Sequence, residues 1–295
     1  METKSAAKDV GGFLEWVQTA REEFGFGRSD ATKSDPWQPW YRGHVREEWP
    51  LLPKLYRQNS ADHHRHRTKV EDEIVEEFCV RAPALFEQVP AKDDPWSWWF
   101  LMQHYGVPTR LLDWTEAPLL ALFFAVRDDS ARFHDPVCCH ADAAVWALDP
   151  YALNRKTLRI HVDCVPSPCV PCAERGKDSS MIDGIMPRLP FRFGGAGTNR
   201  PHGVVAVNPS HTVRRISSQR SGFTVHASDC EDLMKYEGLK FNNRAYLCRY
   251  IIPFKRVEPI RKELEDYGID ETTVFPDLAG LGNALESKWR KALAL

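Results

Sequence analysis

The stretch Gln103-His104-Tyr105-Gly106-Val107-Pro108-Thr109-Arg110-Leu111-Leu112-Asp113-Trp114-Thr115-Glu116-Ala117-Pro118 runs directly into the apolar Leu119 to Val126, and it constrains the fold of this chain most. A polar and aromatic segment that empties into an apolar helix reads as a loop shaping a pocket at a helix N-terminus. Asp113 followed by Glu116 three residues on fits a capping box, and Thr115 is a second candidate cap.

The flanking sequence alternates helix and strand signals. Phe13, Trp16, Val17, Ala20 and Phe24 repeat at helical spacing and give a first helix closed by Gly25 and Gly27. Trp40 to His44 reads as a short strand broken at Gly43. The pattern of Val70, Ile74, Phe78, Cys79, Ala82 and Leu85 gives a long helix over Lys69 to Phe86, and Trp96 to Gln103 starts a third. Further on, 143–148, 204–209, 221–226 and 245–253 read as strands, and 256–268 and 283–295 as helices. Early helices followed by several strands predict an α+β fold, with a mixed or antiparallel sheet flanked by helices and an N-terminal helical elaboration. The expected organisation is an N-terminal helix over 1–30, a domain over 36–285 with an irregular insertion at 154–200, and a helical tail over 286–295.

A net charge of −2 provides no global attraction to nucleic acid or anionic lipid. No run approaches the roughly 18 apolar residues that span a bilayer, so no membrane partner is expected. The first residues carry no apolar stretch behind their charges, which makes the cytoplasm the expected location. Eight scattered cysteines in such a chain read as reduced thiols. Cys164, Cys169 and Cys172 offer one pair at zinc-like spacing where a ribbon needs two, which argues against a structural zinc. The Ser, P-loop and His-Glu-x-x-His catalytic signatures are missing from the sequence.

Four ordered blocks resemble the FRG domain, a bacterial and phage-associated family named for a Phe-Arg-Gly tripeptide. They are Tyr41-Arg42-Gly43; the block from Gln103 to Thr115; Arg215 to Gln219 with Gly222 to His226; and Val274 to Leu281. A fainter similarity is to ADP-ribosyltransferase toxins. These carry an early-strand Arg, a Ser/Thr-rich strand leading into an Ala-Phe helix, and a late strand with Gln or Glu. Arg42, Thr109 to Thr115 ahead of Leu122 to Ala125, and Gln219 follow that order, and the resemblance extends the expectation to a split-sheet core.

The resemblance implies NAD as substrate. Arg42 would hold the pyrophosphate through its planar, permanently charged fork. Gly43 would admit the ligand to main-chain atoms, while Tyr41, Tyr105 and Trp114 offer ring faces for nicotinamide. His104 would line the ribose or base, with Thr109, Arg110, Asp113 and Thr115 orienting the pocket. Gln219 would stand at the scissile bond, where an acceptor stabilises the oxocarbenium-like transition state. Asp113 is the alternative carboxylate, because an amide carries no charge.

Each residue also has a plainer reading. Arg42 could pair with a core carboxylate such as Glu73, Arg110 could clasp Asp113, Asp113 and Thr115 could cap a helix, and Trp114 could be core. The function expected from the resemblance is ADP-ribosyl transfer or NAD hydrolysis by a toxin or anti-phage effector. Its partners would be a nucleotide, a protein or nucleic-acid acceptor, and an immunity or defence protein. The alternatives are a non-catalytic nucleotide- or nucleic-acid-binding module and a protein-interaction scaffold.

Overall fold

A computed structural model of the chain describes residues 8–26, 38–57, 64–87, 89–91, 94–127, 141–158, 203–208, 221–227, 232–237, 240–241 and 244–293. Among the described residues the chain is α+β: six strands form an antiparallel sheet in the order β4 (Val204–Val207), β5 (Ser221–His226), β2 (Leu111–Thr115), β1 (Trp40–His44), β3 (Ala143–Leu148) and β8 (Leu247–Ile252), and β6 (Lys240–Phe241) pairs with β7 (Arg244–Ala245) in a separate ribbon. It divides into two compact units, each built from discontinuous segments. The first holds residues 1–49, 115–149 and 237–295, and the second holds 50–114 and 150–236.

The first unit begins with α1 (Val10–Phe24), whose N-cap Asp9 accepts from the amide of Gly12 and whose C-cap Gly25 adopts φ 86°. These are the two ends at which the orphan amides and carbonyls of a helix need partners. The buried stripe of α1 packs on β8 (Leu247–Ile252), with Phe13 and Trp16 at 5.5 Å and 5.1 Å from the ring of Tyr250. β1 (Trp40–His44) runs antiparallel to β3 (Ala143–Leu148), with Arg42 opposite Trp146, and β3 pairs in turn with β8, with Trp146 opposite Arg249. All six residues of β3 are buried, the pattern of a strand covered on both faces.

α4 (Pro118–Val126) lies across β1. It explains Gly43, which continues the strand where the sequence predicts a break. A Cβ at this position would meet Ala121 O, come within 2.5 Å of Ala125 N and 3.0 Å of Phe124 C, so the helix backbone occupies the space of a side chain. Among the described residues this unit also holds α6 (Phe254–Asp266), α7 (Glu271–Val274) and α8 (Leu278–Leu293). The Glu263 carboxylate on α6 accepts from Val10 N at 2.9 Å, which ties down the start of α1.

The second unit packs α2 (His64–Arg81) and α3 (Pro95–His104) against β2 (Leu111–Thr115), β4 (Val204–Val207) and β5 (Ser221–His226). Its core gathers Trp98, Trp99, Phe100, Met102, Leu111, Val205, Val207, Phe223 and Val225, and Phe100 stacks on Phe223 at 5.0 Å. Each such buried side chain contributes about 1.5–3 kcal/mol. On α5 (Pro150–Leu158) the fully buried Asn154 accepts from Ala206 N at 2.7 Å and donates to Ala206 O at 2.9 Å, pairing the outer edge of β4 with a side-chain amide.

Three expectations are corrected. The polar segment ahead of α4 is not all loop, because Leu111–Thr115 forms β2. The capping box does not form: Ala117 is the N-cap of α4, Pro118 supplies its first turn, and Asp113 sits in the strand. The helix expected to reach Phe86 ends at Arg81, and Ala82-Pro83-Ala84 continues as a 3-10 turn because proline removes an amide and crowds the preceding turn. This turns Leu85 out to solvent.

Gly43→Ala is expected to cost about 3 kcal/mol of unfolding free energy by overpacking. Gly106→Ala, at φ 72° with open space around it, should cost about 1 kcal/mol. Urea denaturation of both variants checks the contrast, and equal midpoints would remove the close approach of α4.

Burial pushes the phenol of Tyr250 up to about 12 and the thiol of Cys79 up to about 11, from ordinary values of 10.0 and 9.0. It also raises Tyr41 and Cys248. A raised pKa in the folded state favours the neutral form, so this stability is intact below the ordinary values and declines as pH rises past about 9. Thermal unfolding should show a level Tm from neutral to mildly alkaline pH and a fall above that.

Candidate functional site

β2 is the strand that presents chemistry. Leu111, Leu112, Trp114 and Thr115 are buried, and Asp113 between them is exposed. Thr109 and Arg110 just before it are buried as well. A strand whose one exposed side chain is a carboxylate directs a negative charge outward from fixed backbone.

The orientation of Asp113 is set by neighbours within the second unit. The Gln103 amide, in the last turn of α3, donates to Asp113 Oδ2 at 2.7 Å. The Gln103 carbonyl accepts from the hydroxyl of Thr109, and that hydroxyl oxygen also accepts from Leu111 N at 3.1 Å. The carboxylate is thereby held at second hand by the start of its own strand. Arg57 is exposed beside it. Desolvation lowers the pKa of this guanidinium, and the negative field of Asp113 opposes that shift. Lys54 donates to Gly106 O at 2.8 Å, which fixes the turn carrying Tyr105. Tyr105 is exposed, and its ring meets His104 edge-on at 5.0 Å.

Behind this surface Arg110 and Glu71 form a two-point ion pair, Arg110 Nε to Glu71 Oε1 at 2.7 Å and Arg110 Nη2 to Glu71 Oε2. Both side chains are almost fully buried. Burial alone would lower the pKa of Arg110, but the hydrogen bonds and charge of Glu71 overcome it and raise the value, so the arginine remains cationic. The expected clasp of Arg110 with Asp113 is therefore replaced by a core pair with α2. The fork that was expected to orient a cofactor is engaged by Glu71.

Trp114 is also a core residue. Its indole donates to Thr224 Oγ1 at 3.0 Å, and that hydroxyl lies 3.3 Å from Nε2 of the buried His226. Arg110 O accepts from His226 N at 3.1 Å, so β2 and β5 share both a main-chain and a side-chain connection.

The first unit carries the other predicted residues. Tyr41 is buried opposite Thr115 in the β1–β2 register, and its ring is packed rather than presented to a ligand. Thr115 Oγ1 accepts from Ala117 N at 3.0 Å at the turn into α4. The space beside Gly43, expected to admit a ligand, is filled by α4. Arg42 lies on the opposite face of β1, half-buried, and its Nε donates to His44 Nε2 at 3.0 Å. It faces Trp146, and from the far side Arg249 lies over the Trp146 ring at 5.1 Å, with Glu237 at 3.1 Å from Arg249. Arg42, Trp146 and Arg249 thus form one cross-strand row, with the Arg249 guanidinium over the indole.

Gln219 and the cysteines 164, 169 and 172 lie outside the described residues. Among the described residues no His, Cys, Asp and Glu cluster could hold a metal ion. No described helix is long and apolar enough to cross a membrane. Sequence reasoning missed Gln103, Arg57, Glu71, Thr224 and Arg249. For Arg249 a signal was present: an arginine inside the most apolar strand run of the chain. The partners of Asp113 and Arg110 depend on how α2, α3 and β2 come together, which spacing does not encode.

Residues 38–133 match the FRG domain, and the match supports the FRG family for that part of the chain. It covers the first two of the four blocks, with the Gln219 segment and the Val274 segment beyond its end. No curated protein and no solved structure matches the chain.

Glu71→Ala leaves a cation buried without its partner and is expected to cost about 3–5 kcal/mol. Replacing both members, Glu71→Leu with Arg110→Met, should recover most of the loss. Denaturant midpoints of the single and double variants read this directly, and a single-variant loss near zero would place the pair in solvent.

Proposed function

We propose that the chain is a nucleotide-dependent effector enzyme that cleaves the glycosidic bond of NAD, transferring ADP-ribose or hydrolysing it, with Asp113 as the carboxylate at the developing positive charge. The observation that carries this reading is the exposed Asp113, oriented by Gln103 and Thr109 on an otherwise buried strand. An acceptor that is already held in place stabilises an oxocarbenium-like transition state without reorganising during the reaction. Asp113 supplies the charge that Gln219 lacks.

Arg57 and the exposed Tyr105 ring support the nucleotide part of the reading, as a cation for phosphate and a face for a base. Arg42 adds a second guanidinium on the first unit, in the row it forms with Trp146 and Arg249. The order of Arg42, the β2–α4 segment and Gln219 is the basis for placing the fold beside the ADP-ribosyltransferases. The acceptor is water or a macromolecule, and the biological setting is toxicity or phage defence.

The same residues support a second reading, a module that binds a nucleotide without turning it over, and one experiment separates the two. Purified protein is incubated with NAD, alone and with protein or RNA acceptors, and released nicotinamide is measured by chromatography. Turnover is expected, with Asp113→Asn lowering kcat about 100-fold while NAD binding by calorimetry is retained. Binding without nicotinamide release in the wild type would leave the module. Neither binding nor release would overturn both.

A further inference from the structure

Leu111, Thr109, Gln103 and Asp113 form a hydrogen-bonded chain in which every donor faces the same way. Leu111 N donates to Thr109 Oγ1 at 3.1 Å, the Thr109 hydroxyl donates to Gln103 Oε1, and Gln103 Nε2 donates to Asp113 Oδ2 at 2.7 Å. The main chain around it is fixed as well. Gly106 N donates to Gln103 O at 3.1 Å and Val107 N to Met102 O at 3.0 Å, which sets the turn after α3, and Leu55 N donates to Thr109 O at 3.4 Å. Thr109 is fully buried and Gln103 is half-buried.

A carboxamide keeps nearly the same shape when its oxygen and nitrogen are exchanged, so packing does not choose between the two orientations of Gln103. Asp113 favours the NH2 group most strongly while it carries its full negative charge. During the reaction that charge is shared with the sugar, and its hold on the amide weakens when the direction of the carboxylate counts most. The Thr109 hydroxyl supplies a hold that does not depend on this charge. A flipped amide would bring a second donor to an oxygen already bonded by Leu111 N, and would take Gln103 Oε1 away from the proton of a fully buried hydroxyl. We propose that Thr109 is a positioning residue for the reaction at Asp113: it locks the Gln103 carboxamide with its NH2 group towards the carboxylate, in the transition state as well as before it. This rests on the reading of Asp113 as the carboxylate at the developing positive charge. Fixed dipoles of this kind lower a barrier because they do not turn when charge moves.

Nicotinamide release by the full chain, together with the nitrogen–proton NMR signal of the Gln103 side-chain amide, tests the proposal. Thr109→Val keeps the shape of the side chain and removes the hydroxyl. It is expected to lower kcat about tenfold with KM for NAD unchanged, the order of one hydrogen bond to a charged group. Its Gln103 NH2 signal should leave the wild-type position in the direction taken by Asp113→Asn, and Thr109→Ser should restore both readouts. Gln103→Glu keeps an acceptor for Thr109 but offers Asp113 no donor, so kcat should fall at least as far. This half-buried change carries the test if circular dichroism shows that Thr109→Val does not fold. A wild-type rate and amide signal in Thr109→Val overturn the proposal alone, as does a wild-type rate in Gln103→Glu. So does a loss that Thr109→Ser shares in full, because packing then accounts for it. A wild type that binds NAD and releases no nicotinamide overturns the reading of Asp113 and this proposal together.

Discussion

The packing of α4 on β1 depends on one missing side chain. At Gly43 the helix backbone occupies the volume where any other residue would carry a Cβ, and this lets an apolar helix lie directly on a strand at the centre of its sheet. The rest of the first unit is built on the same sheet. β3 is buried along its whole length, Arg42 is turned to the face away from α4, and the aromatic cluster of α1 and Tyr250 closes over β8. The glycine of the tripeptide is thus a packing requirement, while its arginine neighbour keeps its polar chemistry on the opposite face.

A similar division runs through the block from Gln103 to Thr115. Most of its polar side chains hold structure together rather than face a ligand. Thr109 organises the start of β2, Arg110 neutralises Glu71, Trp114 bonds Thr224, and Thr115 steadies the turn into α4. What this polar scaffold leaves outside is the ring of Tyr105 and the carboxylate of Asp113, with Gln103 fixing the direction of the carboxylate. A dense motif therefore yields a single oriented carboxylate, and the many polar residues around it are what hold that carboxylate in place. Buried groups of this kind tolerate little change, because each one left without its partner costs more than the bond it makes.

Much of the fold was legible from the sequence because its signals are local. The helical spacing of Phe13 to Phe24, the apolar run of 143–148 and the proline stop at Pro253 each identify an element that the structure contains. β2 was hidden because its alternation is short and sits among residues that favour turns and caps. The pairing of Arg110 was illegible for a different reason: two carboxylates were available, and the one 39 residues upstream was chosen by the packing of α2. Asp113 was legible as a candidate carboxylate, but its hold by Gln103 was not, since that bond depends on where α3 ends.

Asn154 replaces a seventh strand with a single carboxamide. It hydrogen-bonds both the amide and the carbonyl of Ala206, the two groups through which β4 could otherwise recruit a strand from a neighbouring molecule. Asparagine is also the residue most prone to spontaneous deamidation, which turns its donor nitrogen into an anionic oxygen directed at a carbonyl. A carboxylate at this position would face the carbonyl of Ala206 as one acceptor against another, and the side-chain bridge to β4 would be lost.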